Sequence, residues 1–134
     1  ALAGSRSTIR KLFMSSVILK ICSLPKDFHS QGNKSIIQLF QESGYLEESK
    51  LVTKKTLITY LTANPNLTDD WENYSSDKRV PQEWYFLKDN DQWIVGYSGT
   101  TSQEQKLQYN SKFEACAEFI LRELLEFQEH AAHY

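Results

Sequence analysis

The chain has 134 residues, of which 40% are hydrophobic and 24% are charged, and its formal net charge is −2. This length suits one domain, and this composition is typical of a folded globular protein, which excludes a disordered or low-complexity chain. The longest apolar run, from Val17 to Cys22, is short and contains a lysine. The sequence therefore predicts no membrane-spanning helix.

The first thirteen residues, Ala1 to Phe13, differ from the rest in charge. They carry three basic residues and no acidic one, and Met14 follows them directly. They lack the apolar core of a signal peptide, so we interpret them as a tag or an upstream-derived extension before a single domain of residues 14–134. Without them the net charge of −2 becomes −5. An acidic body argues against nucleic acid as a ligand and is compatible with a basic protein partner.

The first half of the chain predicts one strand and two short helices. Residues 17–22 are rich in β-branched side chains, which favours an N-terminal strand. Ser35 and Gln38 have the spacing of a capping box, which predicts a helix over residues 36–43. Gly44 then suits a left-handed C-cap. A second helix is predicted over residues 54–61, because apolar residues recur there at helical spacing after Thr53.

The last third has the clearest pattern. Residues 84–97 predict a β-hairpin that turns at Asp89-Asn90, since these residue types tolerate positive φ. Residues 106–109 predict a third antiparallel strand. Ser111 and Glu114 form a second capping box at the start of an amphipathic helix over residues 112–130. The predicted fold is α+β, with an antiparallel sheet packed by this C-terminal helix and by the two shorter helices.

The segment between residues 64 and 81 is the most polar part of the chain. Asp69 or Asp70 is able to cap one helical turn that places Trp71 and Tyr74 on the same side. Two interpretations stay open: the aromatic residues pack under a loop, or they anchor a partner with an acidic rim around them. The second interpretation gives the candidate partner-binding residues, which are Asp69, Asp70, Trp71, Glu72, Tyr74 and Asp77.

No residue pattern predicts catalysis. The carboxylate pairs Asp69/Asp70 and Asp89/Asp91 lie among turn signals, where capping or solvated roles are favoured. Asp27, His29 and Ser30 are near neighbours in one stretch, which rarely creates the geometry of a catalytic triad. We therefore expect no catalytic residue.

The cysteines and histidines likewise give no ligand set. Cys22 and Cys116 lie in apolar surroundings on separate predicted elements, which favours two buried free thiols and a cytoplasmic location. His130 and His133 are three residues apart, with no cysteine or firm carboxylate set nearby. We expect neither a metal nor another cofactor.

One family resemblance bears on function. The helix that ends at Gly44, the hairpin at residues 84–97 and the segment from Gln108 to Leu124, QYNSKFEACAEFILREL, resemble small bacterial immunity proteins of polymorphic or contact-dependent toxin systems. The resemblance covers mainly residues 83–127. It implies a cytoplasmic inhibitor without enzymatic activity that binds a cognate toxin and occludes its active site, with no role for nucleic acid or membrane.

Two other classes of function remain open on the sequence alone. A self-associating structural or regulatory domain would use the hairpin edge or the surface around Trp84 and Trp93. A small enzyme of unknown substrate would need a concave pocket with convergent polar groups.

Overall fold

The computed structural model describes residues 16–77, 83–98 and 105–132. These residues form one α+β domain with six α-helices, a 3-10 helix and a three-stranded antiparallel sheet, so the predicted fold class is confirmed. The predicted extension at residues 1–13 lies outside the described residues. Residues 16–22 are helical and are called α1. The other elements are α2 (Leu24–Gln31), α3 (Ile36–Glu42), a 3-10 helix (Ser49–Leu51), α4 (Lys54–Ala63), α5 (Asn66–Asp77), β1 (Glu83–Asp89), β2 (Gln92–Ser98), β3 (Gln105–Tyr109) and α6 (Lys112–Ala132).

The predicted N-terminal strand at residues 17–22 is wrong, because this segment is α1. Val17 and Ile18 are buried, Leu19 and Lys20 are exposed, and Ile21 is buried again. Burial at i, i+1 and i+4 is the pattern of a helix, whereas a strand with one buried face would alternate. Packing of this apolar face outweighed the β propensity of the branched side chains.

The helix α2 was not predicted, whereas the caps of α3 were. Pro25 lies in the first turn of α2, where its missing N–H costs no hydrogen bond. At α3 the amide of Gln38 donates to Ser35 Oγ at 3.1 Å, and Gly44 has φ 88°, as the sequence predicted.

The sheet has the order β1-β2-β3, and its hairpin is confirmed. Trp84 pairs with Tyr97 and Asp89 pairs with Gln92, which leaves Asn90 and Asp91 as the two-residue turn. The turn lies one residue later than the predicted Asp89-Asn90, because Asp89 still belongs to β1. Asn90 has φ 56°, a conformation that asparagine adopts at lower cost than most residues.

The helix α6 is the centre of the domain. Its start has one half of the predicted capping box, because the amide of Glu114 donates to Ser111 Oγ at 3.4 Å; the described contacts include no return bond from the Glu114 side chain. It packs on the inner face of the sheet and also against α3, α4 and α5. It is therefore buried on more sides than a simple amphipathic helix, with even Glu123 only 2% exposed. Its buried residues are Ala115, Cys116, Ala117, Phe119, Ile120, Glu123, Leu124 and Phe127.

The outer face of the sheet has its own small apolar group. Ile94 is 6% exposed yet stands apart from the main core cluster, and Leu87, beside it on β1, is 40% exposed. Tyr85 lies on Gly96, its cross-strand partner, because a Cβ at Gly96 would come within 2.4 Å of the Tyr85 ring. Glycine at this position therefore lets the tyrosine ring lie flat on the strand.

Candidate partner-binding helix

The candidate residues lie on α5, a helix of twelve residues where the sequence predicted one turn. Its buried face consists of Leu67, Thr68, Trp71 and Ser75, so two of the four inward positions are hydroxyl residues. Thr68 Oγ1 donates to the carbonyl of Pro65 at 2.6 Å, and Ser75 Oγ accepts a bond from β1. Buried hydroxyls need such hydrogen-bond partners. Because two of the buried positions are polar, apolar residues at helical spacing do not reveal this face in the sequence.

Trp71 fixes α5 to the core. Its side chain is 0% exposed, and its Nε1 donates to the carbonyl of Cys22 at 2.8 Å. Its ring makes edge contacts with Tyr74 at 5.7 Å and with Phe119 at 5.9 Å between centroids. Trp71 therefore holds the helix in place and presents no surface to a partner.

Ser75 joins α5 to the edge of the sheet. The backbone N–H of Phe86 points away from β2 and donates to Ser75 Oγ at 2.7 Å. An edge strand normally leaves such amides open to other chains. Here α5 covers this edge of β1 and satisfies a buried amide, so the helix is joined directly to the hairpin.

One acidic stripe of α5 is paired inside the molecule. Lys112, in the first turn of α6, forms ion pairs with Asp69 and with Glu72, the latter at 3.3 Å. Its Nζ also lies 4.9 Å from the centre of the Trp93 ring. Burial lowers the pKa of Lys112, but the hydrogen bonds that its ammonium donates to Asp69 and Glu72, together with their negative charges, outweigh burial, and the net pKa is raised. Asp69 and Glu72 therefore have much of their charge balanced already.

A second stripe of α5 is unbalanced. Asp70, Tyr74 and Asp77 are spaced at i, i+4 and i+7, which places them on one side of the helix. Within the described residues neither Asp70 nor Asp77 pairs with a cation. Asp77 also ends the helix, where the dipole disfavours a negative charge by about 0.3–1 kcal/mol. The position of Asp77 therefore costs some stability, and no cation among the described residues pairs with it.

Tyr74 lies between these two carboxylates. It is partly exposed, and burial, with a smaller contribution from Glu83, raises its pKa well above the usual value. Together with Phe28, His29 and Asp77 it lines a shallow cleft of about 170 Å³. Phe28 is 36% exposed, so the cleft has an aromatic floor and one carboxylate at its rim.

The other residues considered from the sequence do not converge on a site. Asp27, His29 and Ser30 lie on α2, where residues two apart point to different sides. Ser30 Oγ donates to the backbone carbonyl of Asp27 at 3.3 Å, a local helix contact. Within residues 16–77, 83–98 and 105–132, no three histidine, cysteine, aspartate or glutamate residues are grouped so that they could hold a metal ion.

The cysteines are buried and free, as predicted. Burial raises the pKa of Cys22 to about 12 and raises that of Cys116 well above its usual value. Both thiols therefore stay protonated near neutral pH. His133 lies outside the described residues, so the structure describes one member of the histidine pair, the exposed His130.

Sequence reasoning missed Lys112 and Ser75. A lysine in the first turn of α6 is unfavourable, because the N-terminal end of the helix dipole is positive. This unfavourable position was the one signal in the sequence that carboxylates compensate for the lysine. Ser75 carried no such signal, because only the position of β1 reveals its role.

Comparison with known proteins found no matching family model, no similar curated protein and no similar solved structure. Among the described residues no helix is long and apolar enough to cross a membrane.

Proposed function

We propose that this protein is a cytoplasmic bacterial immunity protein that binds a cognate toxin domain and neutralises it by occluding its active site. The observation that carries the proposal is the stripe of Asp70, Tyr74 and Asp77 on a helix fixed to the core. The resemblance of residues 83–127 to immunity proteins supports it independently.

The stripe suits a basic partner such as a nuclease domain. A nuclease cleft is lined by cations that bind phosphates, and carboxylates on a rigid helix match that charge pattern. Tyrosine is a frequent interface anchor, because it adds apolar area and a hydroxyl at low entropic cost. Asp70 and Asp77 would guide association, and Tyr74 would contribute contact area between them.

The remaining candidate residues have different parts in this proposal. Trp71 acts indirectly, by holding α5 in place. Asp69 and Glu72 contribute less than Asp70 and Asp77, because Lys112 already balances part of their charge.

Affinity capture tests this function. The full chain, tagged at its C-terminus, is expressed in its own host, and the proteins that co-purify are quantified by mass spectrometry. The proposal predicts one basic protein near one-to-one stoichiometry whose toxicity is suppressed by co-expression of the chain. Recovery of the chain alone, or a partner whose toxicity persists on co-expression, would count against it.

Self-association is the second candidate, and the outer face of the sheet favours it. Most of the surface expected from the sequence is covered, because Trp84 is 9% exposed, Trp93 is only partly exposed and α5 covers the edge of β1. Leu87, at 40% exposed, and Ile94 are the apolar residues that the sheet turns outward. Sedimentation of the wild type and of Leu87→Lys tests self-association. A concentration-dependent dimer that is lost in the variant would support this function, and a wild type that is monomeric at all concentrations would exclude it.

A further inference from the structure

The exposed side of α4 has an unusual composition for a helix that faces water. It carries Thr56, Thr59 and Ala63 where soluble helices usually carry charged residues, and α4 contains no acidic residue. Together with Ile18 of α1, Lys55 and Tyr60, these residues line an open groove of about 490 Å³ between the two helices. We call it the α1–α4 groove.

The threonines make this groove more apolar than the sequence indicates. Thr59 Oγ1 donates to the carbonyl of Lys55 at 2.9 Å. Thr56 Oγ1 donates to the carbonyls of Thr53 and Leu51 at 3.0 and 3.2 Å. Because both hydroxyls are engaged with the backbone, the threonines offer mainly methyl surface to anything that enters.

The groove continues past the end of α4. A second cleft, of about 300 Å³, shares Tyr60 and Ala63 with it and extends to Leu67 of α5. Leu19, which is 45% exposed, lies along this extension. From Lys55 to Ala63 the groove runs along nine residues of helix, a rise of about 12 Å, or a little over two turns.

The charged residues that line the two clefts are both lysines. Lys55 lines the α1–α4 groove and Lys26 lines the second cleft, and the described residues that line the two clefts include no carboxylate. Within the described part of the chain neither lysine forms an ion pair. Lys55 also lies in the first turn of α4, where the helix dipole disfavours a cation.

We propose that the α1–α4 groove is a second interaction surface, which binds an amphipathic helix of a partner protein with apolar residues along one side and carboxylates near both ends. Charge complementarity selects this occupant: an apolar stripe matches the threonine methyls, Ile18 and Ala63, and the carboxylates meet Lys55 and Lys26. Small side chains along α4 allow the close approach that helix packing requires. This surface is separate from the acidic stripe of α5 and has the opposite charge.

Two synthetic peptides of about 16 residues, long enough to form helix, test the proposal. Both carry leucine at i, i+4, i+7 and i+11; one has glutamates near its ends and the other has lysines there. Fluorescence anisotropy with the full chain measures their dissociation constants. The glutamate peptide is expected to bind about tenfold more tightly than the lysine peptide.

Matched variants locate the binding. Lys55→Glu is expected to weaken binding of the glutamate peptide about threefold while the fold is retained, because a glutamate suits the first turn of α4. Lys50→Glu is the control, since Lys50 is an exposed lysine on the 3-10 helix and lines neither cleft. Thr59→Trp, which fills the groove, should abolish binding. Equal affinity for the two peptides, equal effects of Lys55→Glu and Lys50→Glu, or no saturable binding of the glutamate peptide would overturn the proposal.

Discussion

Replacing Ser75 by alanine tests the link between α5 and the sheet. The change removes the one oxygen that accepts the backbone N–H of Phe86, a residue that is 0% exposed. A buried donor left without a partner costs about 1–3 kcal/mol. The higher helix propensity of alanine returns about 0.5 kcal/mol, so we expect a net loss in unfolding free energy of about 0.5–2.5 kcal/mol.

Ser76→Ala is the matched control. Ser76 is the next residue of the same helix, and its Oγ donates to the carbonyl of Glu72 at 3.1 Å on the exposed side. It shares the gain in helix propensity without burying an unpaired group, so the difference between the two variants isolates the Phe86 amide. That difference should be about 1–3 kcal/mol, or about 3–9 °C in Tm for a chain of this size.

Urea unfolding followed by tryptophan fluorescence measures both variants, and hydrogen exchange of the Phe86 amide provides a local readout. In Ser75→Ala the Phe86 amide should exchange much faster than in the wild type. Amides in the centre of α6 should show a smaller increase, which reflects only the change in global unfolding free energy. Equal unfolding midpoints for the two variants, with unchanged exchange at Phe86, would refute the idea that Ser75 fixes α5 to β1.

Three further predictions follow from burial and charge. Cys22 and Cys116 should resist a thiol reagent such as DTNB at pH 8 in the folded protein and react fully in denaturant, because both are buried with raised pKa values; rapid native labelling would contradict their burial. The pKa of Tyr74 is raised in the folded state above its usual value of 10.0. The stability that neutral Tyr74 contributes is therefore complete below pH 10 and is lost as the pH rises further. In urea titrations between pH 9 and 11, the unfolding free energy of Tyr74→Phe should fall less with pH than that of the wild type. Asp77→Lys should raise the unfolding free energy by about 0.3–1 kcal/mol, since a cation suits the end of α5, and a destabilised variant would show that Asp77 has a structural role.

Local signals in the sequence were enough to predict much of this fold. The caps at Ser35 and Ser111, the left-handed Gly44 and the turn at Asn90 depend on residues close in the chain, and all are present in the structure. The strand prediction for residues 17–22 failed because their β propensity is outweighed by tertiary packing, which a short stretch of sequence does not reveal. The full length of α5 was missed because its inward positions include hydroxyl residues whose partners come from other parts of the chain.

For the candidate site, the sequence predicted which residues are present but not which of them are paired or buried. The sequence grouped the acidic and aromatic residues in one helical segment, but it did not separate the paired carboxylates from the unpaired ones. That distinction depends on Lys112, which is distant in sequence and reaches Asp69 and Glu72 only after α6 has packed beside α5. It also did not determine whether Trp71 faces the core or a partner.

The most direct test of the proposed function compares two double charge reversals during affinity capture from the host. Asp70→Lys with Asp77→Lys alters the unbalanced stripe of α5, and Glu126→Lys with Glu129→Lys makes the same change in charge near the end of α6. The account predicts that the wild type and the α6 variant retain one basic partner near one-to-one, whereas the α5 variant loses most of it, although its melting temperature is unchanged or higher. Equal retention by the two variants would contradict the account.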